Sequence, residues 1–393
     1  MGRYVQFGAG NIGRSLCGAL MSKAGYEVVF VDLDRTLVDA LNEKHSYSVI
    51  VKDKKPAEIK VTGVRAVGAW NADTVADEVA QADFAGTAVG PRALEPVSKL
   101  LAEGLRKRGG KPLDVILCEN QRDAAKLVAD YLKNALGVAD LKDFPVGLIE
   151  TSIGKMVPIM PNEVRKQDPT VVWAEAYNKI IADGEAFITN IPEIEGLERH
   201  SNFHAYVDRK LFVHNLGHAA CAYMGALMNK TFIWEAMKLK SAAETAKGAM
   251  VESGKALLVR YPSEWMWDEM NAHIEDLLER FRNRALGDTV YRVGRDLPRK
   301  LAPGDRLLGA LRLQTASGVQ SMFTERAIAA ALLFRTAGED GKLFAEDAAF
   351  AEHIDCEGPE KALEKYAKMD INGSDRDVAG RILKEYARLG GKR

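Results

Sequence analysis

Two hydrophobic periods divide the chain. Through about the first 150 residues, short apolar runs alternate with stretches whose apolar residues recur every three or four positions. That alternation is expected of parallel strands joined by helices. Residues 4–7, 28–31, 58–61, 84–89, 114–118 and 146–149 predict strands of one parallel sheet, with helices at 12–24, 92–108 and 121–136 between them. Residues 150–192 carry several prolines and predict linking strands. From about residue 200 the period is helical. Apolar stripes mark residues 205–228, 232–258, 262–282 and 318–335, and two shorter helices fit 359–389. The expected fold class is α/β: an N-terminal doubly wound sheet over residues 1–195 and a mainly helical substrate domain over 196–393, with a substrate cleft between them.

The turn after the first strand sharpens this picture. Gly8-Ala9-Gly10-Asn11-Ile12-Gly13 is a G-x-G-x-x-G run between a strand pattern and a helix pattern, and the second strand pattern is followed by Asp32. That order is the dinucleotide-binding (Rossmann) fingerprint in its structural setting. Gly8 permits the tight turn, Gly10 lets the backbone approach a pyrophosphate, and Gly13 lets helix and strand pack closely. The helix N-terminus offers free N–H groups and a positive dipole end to the phosphates. Asp32 suits a ribose diol and repels a 2′-phosphate, which favours NAD over NADP. Arg35 leaves two roles open, meeting a 2′-phosphate or stacking on adenine. Val89 and Gly90, after the fourth predicted strand, are expected near the dinucleotide. Asn120 is expected either to hydrogen-bond the nicotinamide ribose or substrate, or to cap a helix.

Composition narrows the function classes. The chain has 393 residues with 54 Lys+Arg against 55 Asp+Glu. This balance gives no global field for nucleic acid or an anionic membrane. No apolar stretch approaches the ~20 residues of a membrane span. The first strand pattern begins at once, so a leader is not expected and the cytoplasm is the expected compartment. Cys17, Cys118, Cys221 and Cys356 show no C-x-x-C spacing and are expected to be buried free thiols. His200 and His204 form an isolated pair, so no metal site is expected.

A second cluster supplies candidate chemistry. Lys210, Asn215 and His218 stand in the order K-x4-N-x2-H within an otherwise apolar helix pattern. Asn215 and His218, three apart, share a helix face and can bind one oxygen together. Lys210 is the candidate base if burial leaves it neutral. On a straight α-helix Lys210 would lie about 12 Å along the axis from His218. The spacing therefore asks for a bent side chain or a distorted helix. Residues 280–306 hold eight basic and three acidic residues, an excess suited to an anion. Arg295, Arg299, Lys300 and Arg306 are the candidates for gripping a substrate phosphate.

These segments resemble the polyol-specific long-chain dehydrogenases (the mannitol dehydrogenase family), whose signature is K-x4-N-x2-H. The resemblance runs nearly end to end. It includes residues 7–14, Leu41-Asn42 with His45-Ser46-Tyr47, residues 87–91, and Arg209 to Phe212 ahead of the signature. Residues 292–295, 299–301 and 304–307 resemble the phosphate-using branch. The resemblance implies metal-free hydride transfer between D-mannitol 1-phosphate and NAD, giving D-fructose 6-phosphate and NADH. Lys210 would be the general acid/base, with Asn215 and His218 polarising the reacting oxygen; a monomer is implied.

Two departures fall on the substrate side. Where relatives carry Val-Asp-Arg-Ile-Val-Pro, this chain has Ile153-Gly154-Lys155-Met156-Val157-Pro158, and Gly154 cannot supply the Asp hydrogen bonds. Glu150 and Asp208 are the carboxylates placed to substitute. His214 adds a polar group inside the signature. A reductase of an unphosphorylated polyol or a hexuronate (tagaturonate or fructuronate type) is the alternative, and a non-catalytic NAD-binding sensor a third.

Overall fold

Alternation along β1 (Arg3–Phe7) sends Tyr4 to one face of a sheet and Val5 and Phe7 to the other. β2 (Glu27–Asp32) repeats this, with Val28 and Phe30 against Val29 and Val31. Both faces are therefore apolar and both are covered, as parallel sheets require. The computed structural model describes residues 2–53, 55–158 and 160–391.

The remaining strands are β3 (Ser46–Val51), β4 (Ala57–Thr62), β5 (Val64–Gly68), β6 (Phe84–Thr87), β7 (Leu113–Leu117), β8 (Val146–Ser152), β9 (Val172–Ala174), β10 (Ile180–Asp183) and β11 (Leu197–His200). Among the described residues, β1, β2 and six of these form one eight-stranded sheet in the order β11-β10-β8-β7-β6-β1-β2-β5. From β8 to β5 the pairing is parallel; β10 is antiparallel to β8. The chain leaves β1 towards β2 and β5, then returns to β6 on β1's other side. The strand order thus reverses between β1 and β6, which opens a ligand crevice at their C-terminal ends.

Residues 58–61 were expected in this parallel sheet and are not in it. β4 instead pairs antiparallel with β3, which pairs in parallel with β9 in a separate three-stranded sheet. Only Val61 of the four is buried, so β4 has one wet face and cannot sit inside a doubly covered sheet. The helices of this part are a π turn Gly13–Gly18 running into α1 (Ala19–Lys23), α2 (Arg35–Lys44), α3 (Ala72–Gln81), α4 (Leu94–Arg108) and α5 (Ala124–Leu136), with the short α6 (Asn162–Gln167) among the linking strands.

The chain divides into two units, Met1–Phe203 and His204–Arg393. The second is built of helices, among them Leu216–Leu227, Lys240–Arg260, Trp267–Phe281, Leu308–Ala316 and Met322–Leu332. The continuous helix expected over 232–258 is broken. Ile233–Ala236 ends early and Lys240–Arg260 starts afresh after an extended Leu239 (φ −82°, ψ 124°). Buried positions 233, 236, 237, 242, 246 and 249 keep near-helical spacing across the break, so period alone does not reveal it. Three cysteines are buried free thiols as expected, but Cys356 is exposed. It occupies the wet side of Ala345–Glu357, whose inward residues include Phe350, Ala351 and Ile354. Among the described residues, no helix is long and apolar enough to cross a membrane.

Candidate functional site

The glycine turn divides its work as its spacing suggests. Gly8 has φ +88°, and a Cβ there would lie 2.5 Å from the Ala88 carbonyl oxygen. A Cβ on Gly13 would lie 2.0 Å from the Gly8 carbonyl oxygen. These two positions exclude side chains. Gly10 faces open space, with no atom within 4 Å of such a Cβ. The backbone is thus bare where a pyrophosphate would approach, and the turn fits a dinucleotide.

Two buried charged side chains hold the turn and its neighbours. Arg14 donates from Nε to the Ala9 carbonyl at 2.7 Å and from a terminal nitrogen to the carbonyls of Pro169 and Thr170. Glu119 accepts from the backbone N–H groups of Val89 (2.9 Å) and Gly90 (2.8 Å), fastening the loop after β6 to the end of β7. Val89 and Gly90 therefore stand at the crevice through a carboxylate that sequence reading passed over, although it sits beside Asn120. Asn120 itself is exposed, and the cap position of α5 is Asp123. Asp32 accepts from Ala9 N–H at 2.7 Å and from Asp34 N–H at 3.0 Å, so its carboxylate is fixed at the end of β2.

The Lys–Asn–His cluster lies on a distorted helix. The segment Lys210–Asn215 is a π turn between α-helical Phe203–Arg209 and Leu216–Leu227. Bonds of the i→i+5 type make residues five apart successive on one face. Lys210 is thereby set in line with Asn215, and Asn215 with His218 through the ordinary i,i+3 relation. The x4 spacing, awkward on an α-helix, is the natural one for this turn.

Electrostatics bind the cluster to the basic segment. Lys210 is only partly exposed, and burial with the nearby Arg306 charge pushes its ammonium down to about 8. Burial pushes the His218 imidazole down to about 3, helped by Arg292, Arg306, Lys300 and Arg280. His218 is therefore neutral at physiological pH, and what it can offer a ligand is a hydrogen bond rather than a charge. His214 is also buried and pushed well below its ordinary value, first by burial and then by Arg280.

Of the four candidates for phosphate, Lys300 and Arg306 belong to this neighbourhood. Lys300 is buried, donates to the Val293 carbonyl at 2.7 Å and to that of Arg295, and is pushed down to about 7 by burial and by Arg306. Arg306 pairs with Asp305 at 2.8 Å. Arg299 is exposed and pairs with Asp296 and Asp305. Arg295 is exposed over the rings of Tyr291 and Phe344 and meets no carboxylate among the described residues. The largest influences on Lys210 and His218 are burial, Arg306, Arg292, Lys300 and Arg280 rather than Arg295 or Arg299.

Two further residues frame His218. Phe281 stacks flat on its ring, with centroids 4.6 Å apart and planes at 9°. The buried Asp288 sets a carboxylate oxygen 3.3 Å from His218 Nε2, while Arg292 contacts its other oxygen. Asp288 was visible in the sequence only as one of three acids in a basic run, and Phe281 carried no signal. The candidate substitutes for the missing Asp near Gly154 are engaged elsewhere. Glu150 accepts from Ala125 N–H at 3.1 Å, and Asp208 accepts from the Tyr261 hydroxyl at 2.8 Å.

Comparison with known proteins agrees with both halves of this description. Residues 2–196 match the mannitol dehydrogenase Rossmann domain and residues 202–378 the mannitol dehydrogenase C-terminal domain. Among solved structures, a substrate-free D-sorbitol dehydrogenase superposes with TM-score 0.81 at 15% identity, covering 98% of this chain and 92% of that one. A Pseudomonas fluorescens mannitol 2-dehydrogenase, in ternary complex with NAD and D-mannitol, gives 0.73 at 16% identity, covering 99% and 91%. The chain belongs to the mannitol dehydrogenase family of NAD-dependent polyol oxidoreductases.

Proposed function

We propose that this chain interconverts a hexitol phosphate and a ketose phosphate, D-mannitol 1-phosphate and D-fructose 6-phosphate, as a mannitol-1-phosphate 5-dehydrogenase does. The cofactor is NAD, which supplies the hydride acceptor when bound. The turn at Gly8, Ala9, Gly10, Asn11, Ile12 and Gly13 would hold its pyrophosphate, and Asp32 its adenosine ribose. Val89 and Gly90 would border it, with Asn120 at the end of β7 reaching the nicotinamide ribose or the substrate.

Neutral Lys210 would take the substrate hydroxyl proton at Nζ as the alkoxide forms, and return it in reduction. Asn215 and neutral His218 would hydrogen-bond that oxygen and stabilise its developing charge. The phosphate reading rests on one observation: the Arg306 charge bears on the Lys210 ammonium, and Arg306 and Lys300 both disfavour a charged His218. An anion bound there relieves that repulsion. The pairing of Arg299 and Arg306 with Asp296 and Asp305 favours the alternative of an unphosphorylated polyol, because those cations are already partly balanced.

Steady-state reduction of fructose 6-phosphate, fructose and tagaturonate with NADH separates these readings. The phosphorylated ketose is expected to have the highest kcat/KM by at least about a hundredfold, the range of two charge-assisted hydrogen bonds. Equal efficiency with fructose would remove the phosphate from the proposal.

A further inference from the structure

Trp70 is a large aromatic left 44% exposed just past the end of β5, next to the strand that ends on Asp32. It has a fixed seat: a Cβ on Gly68 would lie 2.2 Å from the indole carbons, so the ring lies directly on the Gly68 backbone. The backbone on either side is tied as well. Ala69 N–H donates to the Asp32 carbonyl at 2.9 Å, and Asn71 caps α3 by accepting from Thr74 N–H. Over this ring lies the Arg35 guanidinium, 4.1 Å from the ring centroid. Arg35 is the first residue of α2, whose cap Asp34 accepts from Leu37 N–H. The Arg35 backbone is thus fixed, and its side chain reaches across to the indole.

An arginine three residues past the acid at the end of β2 is well placed to neutralise a 2′-phosphate. Here that arginine is engaged in a cation–π stack. We propose that Trp70 is a specificity-determining residue for the dinucleotide. By stacking Arg35, it presents a flat indole–guanidinium face to the adenine and keeps the guanidinium from the ribose 2′ position. The repulsion between Asp32 and a 2′-phosphate then stays uncompensated. NAD preference accordingly comes from three residues, with Trp70 acting through Arg35. The inference rests on the reading that the dinucleotide lies along the Gly8 turn with its ribose at Asp32.

Fluorescence titration of the full chain with NADH and NADPH, without sugar substrate, tests it. The unaltered protein is expected to prefer NADH. Trp70→Ala frees Arg35, and the ratio of the two dissociation constants should move towards NADPH by about tenfold or more. Trp70→Phe keeps a ring under the guanidinium and should retain the preference. Adding Arg35→Ala to Trp70→Ala should abolish the gain in NADPH binding while Tm follows that of the single variant. A Trp70→Ala protein that folds and keeps the original ratio overturns the inference and leaves the cofactor site standing. Failure of the unaltered protein to bind NADH overturns the cofactor site itself.

Discussion

Lys210 carries the sharpest consequences at the scale of single residues. With its ammonium pushed down to about 8, the neutral fraction grows as pH passes that value. In the proposed mechanism polyol oxidation needs the neutral form, so its kcat/KM should rise with pH and level off above about 8. Ketose reduction needs the protonated form and should fall over the same interval. The sign follows from burial and Arg306, both of which disfavour the charged lysine. Arg306→Ala removes one of them, so the oxidation profile should move to higher pH; an unmoved profile would show that Arg306 does not act on Lys210. Lys210→Ala should lower kcat by about 10²–10⁴-fold, the usual contribution of a general acid–base group. NADH binding by titration should barely change, and near-normal turnover would remove Lys210 from its role. Asp288→Asn keeps the shape beside His218 but removes the charge facing Nε2. A kcat loss of roughly ten- to a hundredfold, with KM little altered, is expected of a group that orients an imidazole. Unchanged kcat would show that the stacked Phe281 alone positions the ring.

The π turns matter at the scale of elements. The x4 spacing between Lys210 and Asn215 already signals a distortion, because residues five apart do not share an α-helical face. What periodicity leaves out is the kind of distortion, since one inserted residue leaves the apolar stripe nearly intact. Inserting an alanine after Leu211, a partly exposed residue of the turn, would lengthen the Lys210–Asn215 spacing to six and rotate Lys210 by about 100° relative to Asn215. Turnover should fall by at least about a hundredfold while NADH binding persists; an active insertion variant would show that the two need not share a face. The glycine turn was more legible than the signature helix, for a physical reason. Gly8 and Gly13 are demanded because a Cβ at either would collide with a backbone carbonyl oxygen, and such constraints leave a mark in composition. Glu119, Arg14 and Phe281 act through partners distant in sequence and leave none. The strand at 58–61 was legible as a strand, but its sheet was not, because pairing partners are a property of the whole unit. The break at Leu239 was hidden by apolar spacing that continues past it.

The whole molecule sets a nearly neutral sum against one strongly basic segment. Fifty-four basic side chains nearly cancel fifty-five acidic ones, yet residues 280–306 carry eight against three. The fold uses those charges unequally. Arg299 pairs with Asp296 and Asp305, and Arg292 contacts Asp288, whereas Lys300 is buried and turned to backbone carbonyls. Sequence alone counts the charges but cannot say which of them the acids take. The remaining imbalance around Lys210 and His218 makes a measurable claim about how substrate is held. A phosphate gripped by partly exposed arginines is screened by salt, since the Debye length falls from about 10 Å at 0.1 M to about 3 Å at 1 M. KM for fructose 6-phosphate should therefore rise several-fold across that range of sodium chloride, mainly through slower capture of the anion. Reduction of unphosphorylated fructose, which presents no charge, should change little over the same series. Cofactor binding must be followed in parallel by NADH titration, because a pyrophosphate at the Gly8 turn also responds to salt. Only the excess of the phosphorylated substrate's dependence over the cofactor's reports on the 280–306 segment. Arg295→Ala tests an exposed member of that segment that meets no carboxylate among the described residues. If Arg295 makes a direct contact, the variant should show a shallower salt slope and a higher KM at low salt. Parallel slopes for fructose and fructose 6-phosphate would mean that the excess charge serves the fold and the lysine, and that the substrate is an uncharged polyol.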